Sequence, residues 1–294
     1  MRALITGSAG FVAGYLEASL VADGHHVQGL DHHEGRDIRD YEVVRRAVLE
    51  ANPDWIFHLA AVSTPKESLS DPRRSMEVNV TGTLNLLEAV RNTGFECKIL
   101  VAGSADEYGN DAGVRVTEES PCFPSGPYGV SKLAATSLAM TYASRYGMPV
   151  VATRAWNHIG PGRRSVSVAS GFARRIVSAE RGETSVVLHG PLGVEIDFID
   201  VNDVVRAYRQ VIDLPPGIWN VCSEKQVSLD AVLLMLLDAS KVPDAATQQD
   251  PRFGDPKRRF AVGSCAKLRD ATGWKPEIPL EQTLREILDF WREQ

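Results

Sequence analysis

A short apolar run that breaks into a glycine-rich turn and then a helix opens the chain. Arg2–Thr6 is typical of a buried parallel strand. In the turn that follows, Gly7 permits a tight bend and Gly10 lets the backbone approach phosphate groups. This order predicts a dinucleotide pyrophosphate bound at the start of a helix that begins near Phe11 and Val12. An ordinary strand–helix turn is the alternative.

Asp31 follows the next predicted strand, His26–Leu30, and lies about 20 residues beyond the glycines. An acidic residue at that distance is placed to bind the ribose hydroxyls of adenosine, and its charge repels the 2′-phosphate of NADP. The sequence therefore favours NAD(H) as the cofactor. NADP(H) stays open, because His32, His33 and Arg36 follow closely and could supply positive charge.

Asp37 and Ile38 lie in the loop that follows. This pair could hold adenine, with the Asp37 carboxylate accepting a hydrogen bond from the amino group of the base. Asp40 could do the same or could cap a helix, since Asp is a preferred N-cap residue.

Strands and helices alternate along the first half of the chain. This order predicts an α/β fold of the Rossmann type, with a doubly wound parallel sheet and helices on both faces. Such sheets bind ligands at the carboxyl ends of their strands. The predicted strands lie near residues 2–6, 26–30, 55–58, 97–103 and 149–153, and the predicted helices near 10–22, 40–51, 73–93 and 128–146.

The pattern becomes less regular after Gly162, although Val201–Ile212 and Leu280–Trp291 have amphipathic helical spacing. We interpret residues 1–165 as a dinucleotide-binding domain that carries the catalytic residues. Residues 166–294 are interpreted as mainly a smaller substrate-binding domain, and the chain is allowed to cross back to the first domain.

Tyr128 and Lys132 lie four residues apart and therefore on one helical face. A free tyrosine titrates near ~10, and a fixed cation beside it favours the phenolate and lowers that pKa. The pair is thus a candidate acid/base for a carbonyl or alcohol oxygen. Alone, this spacing also occurs by chance on helix surfaces.

Several stretches together resemble the extended short-chain dehydrogenase/reductase family, whose members act on nucleotide-activated sugars as dehydratases, epimerases and reductases. The resemblance covers almost the whole chain. Its motifs are Gly7–Val12, His58–Ala61, Asn79–Thr83, Ser104 before Tyr108 and Gly109, Tyr128–Lys132, Trp156–Gly162, Asp197–Val201 and Gly273–Pro276.

The resemblance implies a role for each matching residue. Tyr128 would donate a proton to the sugar carbonyl oxygen, and Lys132 would lower the pKa of Tyr128 and hold the nicotinamide ribose. Ser104 would hydrogen-bond the same oxygen as charge builds on it. Asn79 would position the helix or the water that relays protons to Lys132, and Asn157 would meet the nucleotide diphosphate.

The stretch after the third predicted strand resembles the loop with which the family contacts its cofactor. That cofactor loop consists of Leu59, Ala60 and Ala61. Relatives often have a polar residue where this chain has Val62, so hydroxyl recognition should differ. Because the loop should face the sugar, Ser63 is a candidate substrate contact.

The residues after Ser104 help to choose among the reactions. Dehydratases of this family carry an acid/base pair there, whereas this chain has Ala105, which transfers no proton. That substitution counts against a 4,6-dehydratase and leaves a reductase or a 4-epimerase. Ala105 and Asp106 are candidate substrate contacts, while Asp106 and Glu107 are equally well interpreted as solvated loop acids.

Asn157–Gly162 and Trp219–Ser223 are similar to the family branch that reduces GDP-linked 4-keto-6-deoxyhexoses. We therefore expect a 4-keto sugar to be reduced to the 4-hydroxy sugar by hydride transfer from a nicotinamide. A nucleotide-sugar 4-epimerase with bound NAD is the alternative, and a cofactor-binding sensor without catalysis is a third hypothesis.

One departure from the pattern of the family affects how the diphosphate of the substrate would be bound. Many relatives carry Arg immediately before the Asp-Phe of the later strand, where this chain has Ile196, and Ile makes no bidentate contact to phosphate. We take Arg252 as the candidate replacement. The further candidates are Arg163, Arg164, Arg258 and Arg259.

Composition limits the classes of molecule that this chain is expected to bind. The formal charge of the 294-residue chain is −6, which gives no broad basic surface for nucleic acid. No apolar run approaches the roughly 20 residues that span a bilayer, and the chain begins with a strand instead of a signal peptide. The four cysteines lack metal-like spacing, so we expect reduced thiols, a cytoplasmic enzyme and no membrane partner. The adjacent pairs His25–His26 and His32–His33 should point different ways, as neighbours on a strand do, and are interpreted as local surface features, so no metal is expected. The resemblance implies a homodimer, in which the helices near 73–93 and 128–146 would pair with their copies.

Overall fold

The computed structural model describes residues 1–109, 115–163, 167–253 and 261–294. Its strands are β1 (Arg2–Thr6), β2 (His26–Leu30), β3 (Trp55–His58), β4 (Lys98–Ala102), β5 (Arg115–Val116), β6 (Val150–Ala155), β7 (Asn157–Ile159), β8 (Val186–His189), β9 (Glu195–Asp200), β10 (Gly217–Val221), β11 (Gln226–Ser228), β12 (Ala246–Gln249) and β13 (Val262–Gly263).

The helices follow the strands in alternation through the first half of the chain. They are α1 (Phe11–Ala22), α2 (Tyr41–Ala51), α3 (Pro65–Ser70), α4 (Pro72–Met76), α5 (Gly82–Thr93), α6 (Pro127–Tyr146), α7 (Val168–Glu180), α8 (Val201–Val211), α9 (Leu229–Asp238), α10 (Ala266–Thr272) and α11 (Leu280–Glu293). Short 3₁₀ turns occupy His32–Glu34, Ala105–Glu107 and Pro251–Phe253.

Six parallel strands form the main sheet in the order β10-β6-β4-β3-β1-β2. The strand order reverses between β1 and β3, and open α/β sheets bind ligands at the carboxyl ends of the strands that flank such a reversal. The glycine turn after β1 and the cofactor loop after β3 both lie there. The predicted doubly wound α/β fold is confirmed.

Two apolar layers cover the two faces of this sheet. One core cluster joins the sheet to α1, α8 and α10, and the other joins it to α2, α5 and α6. The strands are buried on both faces, as their continuous apolar runs predict. The rigid sheet therefore fixes where each catalytic loop emerges.

The later part of the chain forms a third layer and then returns to the sheet. Helices α7, α9 and α11 pack around β9 in a separate core cluster, and β9 pairs with β7 and β11. Helix α8 and strand β10, however, pack with the main sheet. The third layer therefore already includes β7, and residues 201–221 return to the main sheet. The division of the chain into two domains near residue 165 stays a prediction.

The helix predicted near residues 73–93 is interrupted. Residues Pro72–Met76 and Gly82–Thr93 are α-helical, but Glu77–Thr81 between them forms a π turn. Such π turns are rare in proteins, and those that do occur are frequently found at functional sites. The Asn79 side chain bonds to a neighbouring loop from within this turn, a contact that local sequence periodicity does not reveal.

No helix within the described ranges is long and apolar enough to cross a membrane. The thiols of all four cysteines are free: Cys97, Cys222 and Cys265 are buried and Cys122 is half-buried. Disulfides therefore do not link the layers, and their packing depends on apolar burial.

Candidate active site

The glycine turn is shaped by its contact with the cofactor loop. Gly7 has φ +72°, and a Cβ on it would lie 2.8 Å from the backbone N and Cα of Ala60. The Gly7 N–H donates to the Leu30 carbonyl at 2.8 Å, and the Gly10 N–H donates to the Gly7 carbonyl at 2.9 Å. The turn therefore needs a residue without a side chain.

Helix α1 begins at Phe11 and has no side-chain cap on its first N–H groups. Its N-cap residue, Gly10, leaves these donors uncovered by a side chain, and Val12 lies in the first turn. An uncapped helix N-terminus beside a switch point is a ready anion site. These residues thus fit the pyrophosphate of a dinucleotide.

Gly7→Ala should destabilise the protein by about 1–3 kcal/mol and should weaken NAD(P)H binding, because alanine is strained at this φ and meets Ala60. Gly14→Ala is the matched control, since a Cβ there meets no atom within 4 Å. Urea unfolding and cofactor fluorescence titration measure both effects. Equal stability of the two variants would contradict the packing described above.

Asp31 ties the glycine turn to the segment after β2. The carboxylate is 5% exposed and accepts hydrogen bonds from the backbone N–H groups of Ala9 and His33, each at 3.0 Å. The His32 Nδ1 lies 3.2 Å from it. Asp31 thus lies at the predicted adenosine end of the site, but its oxygens are already engaged by the protein.

The expectation that His32 and His33 point apart is wrong. Both lie in a 3₁₀ turn instead of a strand, and their ring centroids are 4.0 Å apart. Their ligand atoms and those of Asp31 lie within 4.8 Å of one another. Arg36 lies beside them and donates to the Gly29 carbonyl at 3.2 Å.

The two predicted adenine contacts, Asp37 and Ile38, have different surroundings. The Asp37 carboxylate is bound by Arg39, with contacts of 2.6–3.1 Å that hold its pKa below the usual value. Ile38 is buried and packs against Gly82. Asp40 accepts hydrogen bonds from the first N–H groups of α2, so the helix-cap interpretation of Asp40 is confirmed.

Tyr128 and Ser104 meet at the carboxyl end of β4. Tyr128 lies in the first turn of α6, and Ser104 caps the 3₁₀ turn that follows the strand. Ser104 lies close enough to the Tyr128 phenol for its side chain to affect the pKa of that phenol. Burial raises the pKa of Tyr128 to about 12, and the Ser104 side chain and the charge of Arg163 oppose that rise. The phenol is therefore protonated at neutral pH and able to donate.

The charge beside Tyr128 differs from the sequence expectation. Lys132 Nζ donates to the Ala102 carbonyl at 2.8 Å, and the cation that opposes the rise in the pKa of Tyr128 is Arg163. The Arg163 guanidinium donates to the His158 carbonyl and lies 5.5 Å from the Phe11 ring centroid. The sequence marked Arg163 only as a phosphate candidate.

Lys132 should make stability depend on pH, because burial lowers its pKa from 10.5 to about 8. Between these values the unfolded chain holds a proton that the folded chain lacks, so the free energy of unfolding rises with pH. The rise is about 3 kcal/mol at most. Urea unfolding near about pH 8 and about pH 10.5 should show the rise in the wild type and not in Lys132→Met. Parallel curves would contradict a desolvated Lys132.

Asn79 joins α6 to the loop that contains Val62 and Ser63, which we call the substrate loop after its predicted role. Its Oδ1 accepts from the Val62 N–H at 2.7 Å, and its Nδ2 donates to the Val62 carbonyl at 3.2 Å and to Ser131 Oγ at 2.8 Å. Ser131 in turn donates to the Tyr128 carbonyl at 2.8 Å. The side chain thus holds the loop that presents the exposed Ser63.

His58 links the cofactor loop to Asn79, a connection that sequence reasoning missed. Thr83 donates to the Asn79 carbonyl at 2.6 Å and therefore accepts from His58 Nε2 at 2.8 Å. His58 Nδ1 accepts from Thr6 at 2.7 Å, and Thr6 accepts from the Ala60 N–H. Burial lowers the pKa of His58 to about 3, so this chain of hydrogen bonds is neutral.

The interpretation of Glu107 as a solvated acid is wrong. Its side chain is fully buried and bonds to the Ser104 N–H at 2.9 Å, Thr136 at 3.0 Å and Arg154 Nε at 2.8 Å. Burial raises the pKa of the Glu107 carboxyl, and the Arg154 charge opposes that rise. The Glu107–Arg154 ion pair therefore holds the Ser104 backbone in place through the bond from the Ser104 N–H to Glu107. Asp106, by contrast, lines a cavity of about 150 Å³ beside Tyr128.

The remaining substrate candidates lie farther along the chain, except Ala105, which is half-buried beside Ser104. Asn157 is half-buried in β7, opposite Phe198 of β9. The Arg252 side chain is 82% exposed and bonded to Asp250, so its guanidinium faces solvent and is already paired. Arg164, Arg258 and Arg259 lie outside the described residues.

The comparisons with known proteins agree with this geometry. Residues 3–222 match the NAD dependent epimerase/dehydratase family. The chain is 35% identical over 99% of its length to GDP-6-deoxy-D-mannose reductase from Pseudomonas aeruginosa, 97% of which is covered.

Two solved structures extend this likeness. The structure of RMD from P. aeruginosa complexed with NADPH has a TM-score of 0.90 and 35% identity, with 100% of both chains covered. The UDP-glucose 4-epimerase of Thermus thermophilus in complex with NAD has a TM-score of 0.88 and 31% identity, with 99% of both chains covered. The chain therefore belongs to the NAD dependent epimerase/dehydratase family, the extended short-chain dehydrogenase/reductases that its motifs predicted, and it is an enzyme that uses NAD(P).

Proposed function

We propose that this enzyme reduces the 4-keto group of a nucleotide-linked 6-deoxyhexose to the 4-hydroxy sugar. The observation that carries the proposal is the Tyr128 phenol, which lies beside Ser104, lines a cavity and has a pKa of about 12. A protonated phenol is the form that donates to a carbonyl oxygen. The likeness to GDP-6-deoxy-D-mannose reductase supports this substrate class.

Each protein group has a defined task in this reaction. The nicotinamide, when bound, supplies the hydride. Ser104 donates to the sugar O4 as negative charge builds there, and Tyr128 transfers its proton to the same atom. Lys132, protonated below its pKa of about 8, contributes a positive charge one helical turn away. Asn79 keeps the substrate loop against α6.

The glycine turn, α1 and the cofactor loop would hold the dinucleotide, with Ile38 near its adenine. Because the Asp31 carboxylate is already bonded by Ala9 and His33, and His32 is exposed beside it, we propose that the site accepts both NAD(H) and NADP(H). The layer formed by α7, α9 and α11 would bind the nucleotide sugar, with Asn157 and Ser63 as contacts.

We also propose a homodimer that pairs through α5 and α6. These helices are joined by a short hydrogen bond from Tyr142 to Glu88 and by Arg91 over the Tyr146 ring at 5.1 Å. Their outer surface exposes apolar side chains, Leu84, Val130 and Tyr146 among them. Sedimentation equilibrium tests this assembly.

The four free thiols favour a cytoplasmic location.

The test of the reaction is direct. Purified protein is mixed with a GDP-linked 4-keto-6-deoxyhexose, and the absorbance of NADH and of NADPH is followed separately. Consumption of either, with formation of the 4-hydroxy sugar, supports the proposal. No consumption with GDP-, dTDP- or CDP-linked substrates would overturn it.

A nucleotide-sugar 4-epimerase is the second candidate, favoured by the likeness to the T. thermophilus epimerase. An epimerase recycles its cofactor, so the protein would retain NAD through purification and need none added. A 4,6-dehydratase is disfavoured by Ala105, which stands where that reaction needs a proton-transferring side chain.

A further inference from the structure

Three potential metal ligands, Asp31, His32 and His33, come together in the turn after β2. Among the residues that the structure describes, they form the one group of three such side chains whose donor atoms all lie within 4.8 Å of one another. His32 Nδ1 lies 3.2 Å from Asp31 Oδ1, and the centroids of the two imidazole rings are 4.0 Å apart. For these histidines, the expectation of no metal rested on rings that point different ways, and the structure places them side by side.

The spacing of the donors suits a small transition-metal ion. Imidazole nitrogens and carboxylate oxygens bind Zn²⁺ at about 2.0–2.2 Å, which places neighbouring donors of a tetrahedral site about 3.3 Å apart. His32 Nδ1 and Asp31 Oδ1 already have this separation. The His33 donor has to approach by about 1.5 Å at most, and rotation of its exposed side chain supplies that movement.

The Asp31 carboxylate has acceptor capacity left for a metal ion. An ionised carboxylate offers about four lone-pair sites, and the N–H groups of Ala9 and His33 occupy two of them. Such hydrogen bonds orient a carboxylate that binds a metal. The Asp31 carbonyl also accepts from the N–H groups of Glu34 and Arg36, at 3.1 and 3.2 Å, which fixes the backbone of the turn.

The chemistry of the donors selects the class of ion. Imidazole suits Zn²⁺, Cu²⁺ and Ni²⁺, whereas Mg²⁺ and Ca²⁺ prefer oxygen ligands. Two neutral imidazoles and one carboxylate leave a divalent ion with a net charge of +1 and a coordination position for water. The ion would lie beside the glycine turn, because the Ala9 N–H donates to the same carboxylate.

We propose that Asp31, His32 and His33 bind one divalent transition-metal ion of the Zn²⁺ class, and that the bound ion excludes the dinucleotide. The ion would take up the lone pairs of Asp31 that the adenosine ribose needs, and the two imidazoles would close over the carboxylate to reach it. The metal site is independent of the proposed reaction. The exclusion rests on the proposed position of the dinucleotide, with its adenosine end at Asp31.

The first test measures metal binding without turnover. Zn²⁺ is titrated by calorimetry into the metal-free, full-length protein, for the wild type, for His32→Gln/His33→Gln and for the matched control His25→Gln/His26→Gln. The control pair lies at the other end of β2, beside the N-terminal amine, which is the alternative place for Zn²⁺. The wild type and the control should each bind one equivalent with the same affinity. His32→Gln/His33→Gln should weaken binding by at least about tenfold, and Mg²⁺ should not compete.

The second test measures the exclusion. The Kd of NADH, followed by cofactor fluorescence, should rise by at least about tenfold when the wild type is saturated with Zn²⁺. NADH should in turn weaken Zn²⁺ binding by the same factor, since linked equilibria are reciprocal. Zn²⁺ also binds the pyrophosphate of NADH in solution, and His32→Gln/His33→Gln is the control for that effect. The NADH Kd of this variant should respond to Zn²⁺ far less than that of the wild type.

Four results would overturn the inference: no Zn²⁺ binding by the wild type with a Kd below about 1 mM, equal affinity in a folded His32→Gln/His33→Gln, loss of binding in the control pair instead, or an equal effect of Zn²⁺ on NADH binding in both proteins. Thermal unfolding establishes that the variants are folded. If Zn²⁺ and NADH compete as described but no sugar is reduced, the reductase proposal fails and this inference stands.

Discussion

Tyr128→Phe should lower kcat for ketone reduction by about 10²–10⁴-fold and leave the NAD(P)H dissociation constant within about twofold. Phenylalanine keeps the ring but removes the only proton that the Tyr128 side chain can donate to the sugar oxygen. Ser104 would still donate to that oxygen, which explains why some activity should remain. Stopped-flow kinetics and cofactor fluorescence separate the two effects.

Two further variants are compared with Tyr128→Phe, one as a control and one at the neighbouring donor. Tyr146→Phe removes an exposed phenol at the other end of α6 and should be neutral. Ser104→Ala should cost about 10²–10³-fold, since it removes a donor to the charge that develops in the transition state. Near-normal turnover of Tyr128→Phe would refute the acid assignment, and the proton would then have to come from another group.

The fold could be predicted because its signals are local. A run such as Arg2–Thr6, the glycine turn and helical spacing each depend on neighbours in sequence, and the strand–helix alternation then restricts the topology. The same holds for Gly7, whose φ of +72° follows from the tight turn that the pattern required. The contact that Gly7 makes with Ala60, however, joins two loops and is visible only in the structure.

The electrostatics of the site could not be predicted, because they depend on burial and on contacts between distant segments. Glu107 looked like a loop acid, yet it is buried on Arg154, which lies 47 residues away in sequence. Lys132 is four residues from Tyr128, yet the cation that opposes the rise in the pKa of Tyr128 is Arg163. Arg252 lies in a basic stretch, but its guanidinium is bonded to Asp250.

Glu107→Ala should destabilise the protein by about 3–5 kcal/mol, the usual cost of leaving one member of a buried ion pair alone. Both side chains are at most 5% exposed, so water cannot compensate the Arg154 charge. The change also removes the acceptor for the Ser104 N–H and for Thr136. Urea unfolding at neutral pH measures the loss, and Glu119→Ala, an exposed acid nearby, should change stability by less than about 0.5 kcal/mol.

A double variant separates the cost of the unpaired charge from that of the lost shape. Glu107→Leu combined with Arg154→Met removes both charges and should be more stable than Glu107→Ala, since apolar pairs often replace buried ion pairs without loss. Its turnover should nevertheless stay low, because Ser104 would lose the carboxylate that binds its N–H. If Glu107→Ala were as stable as the wild type, Arg154 would have found another partner. If the double variant kept full activity, the buried pair would not be what positions Ser104 against Tyr128.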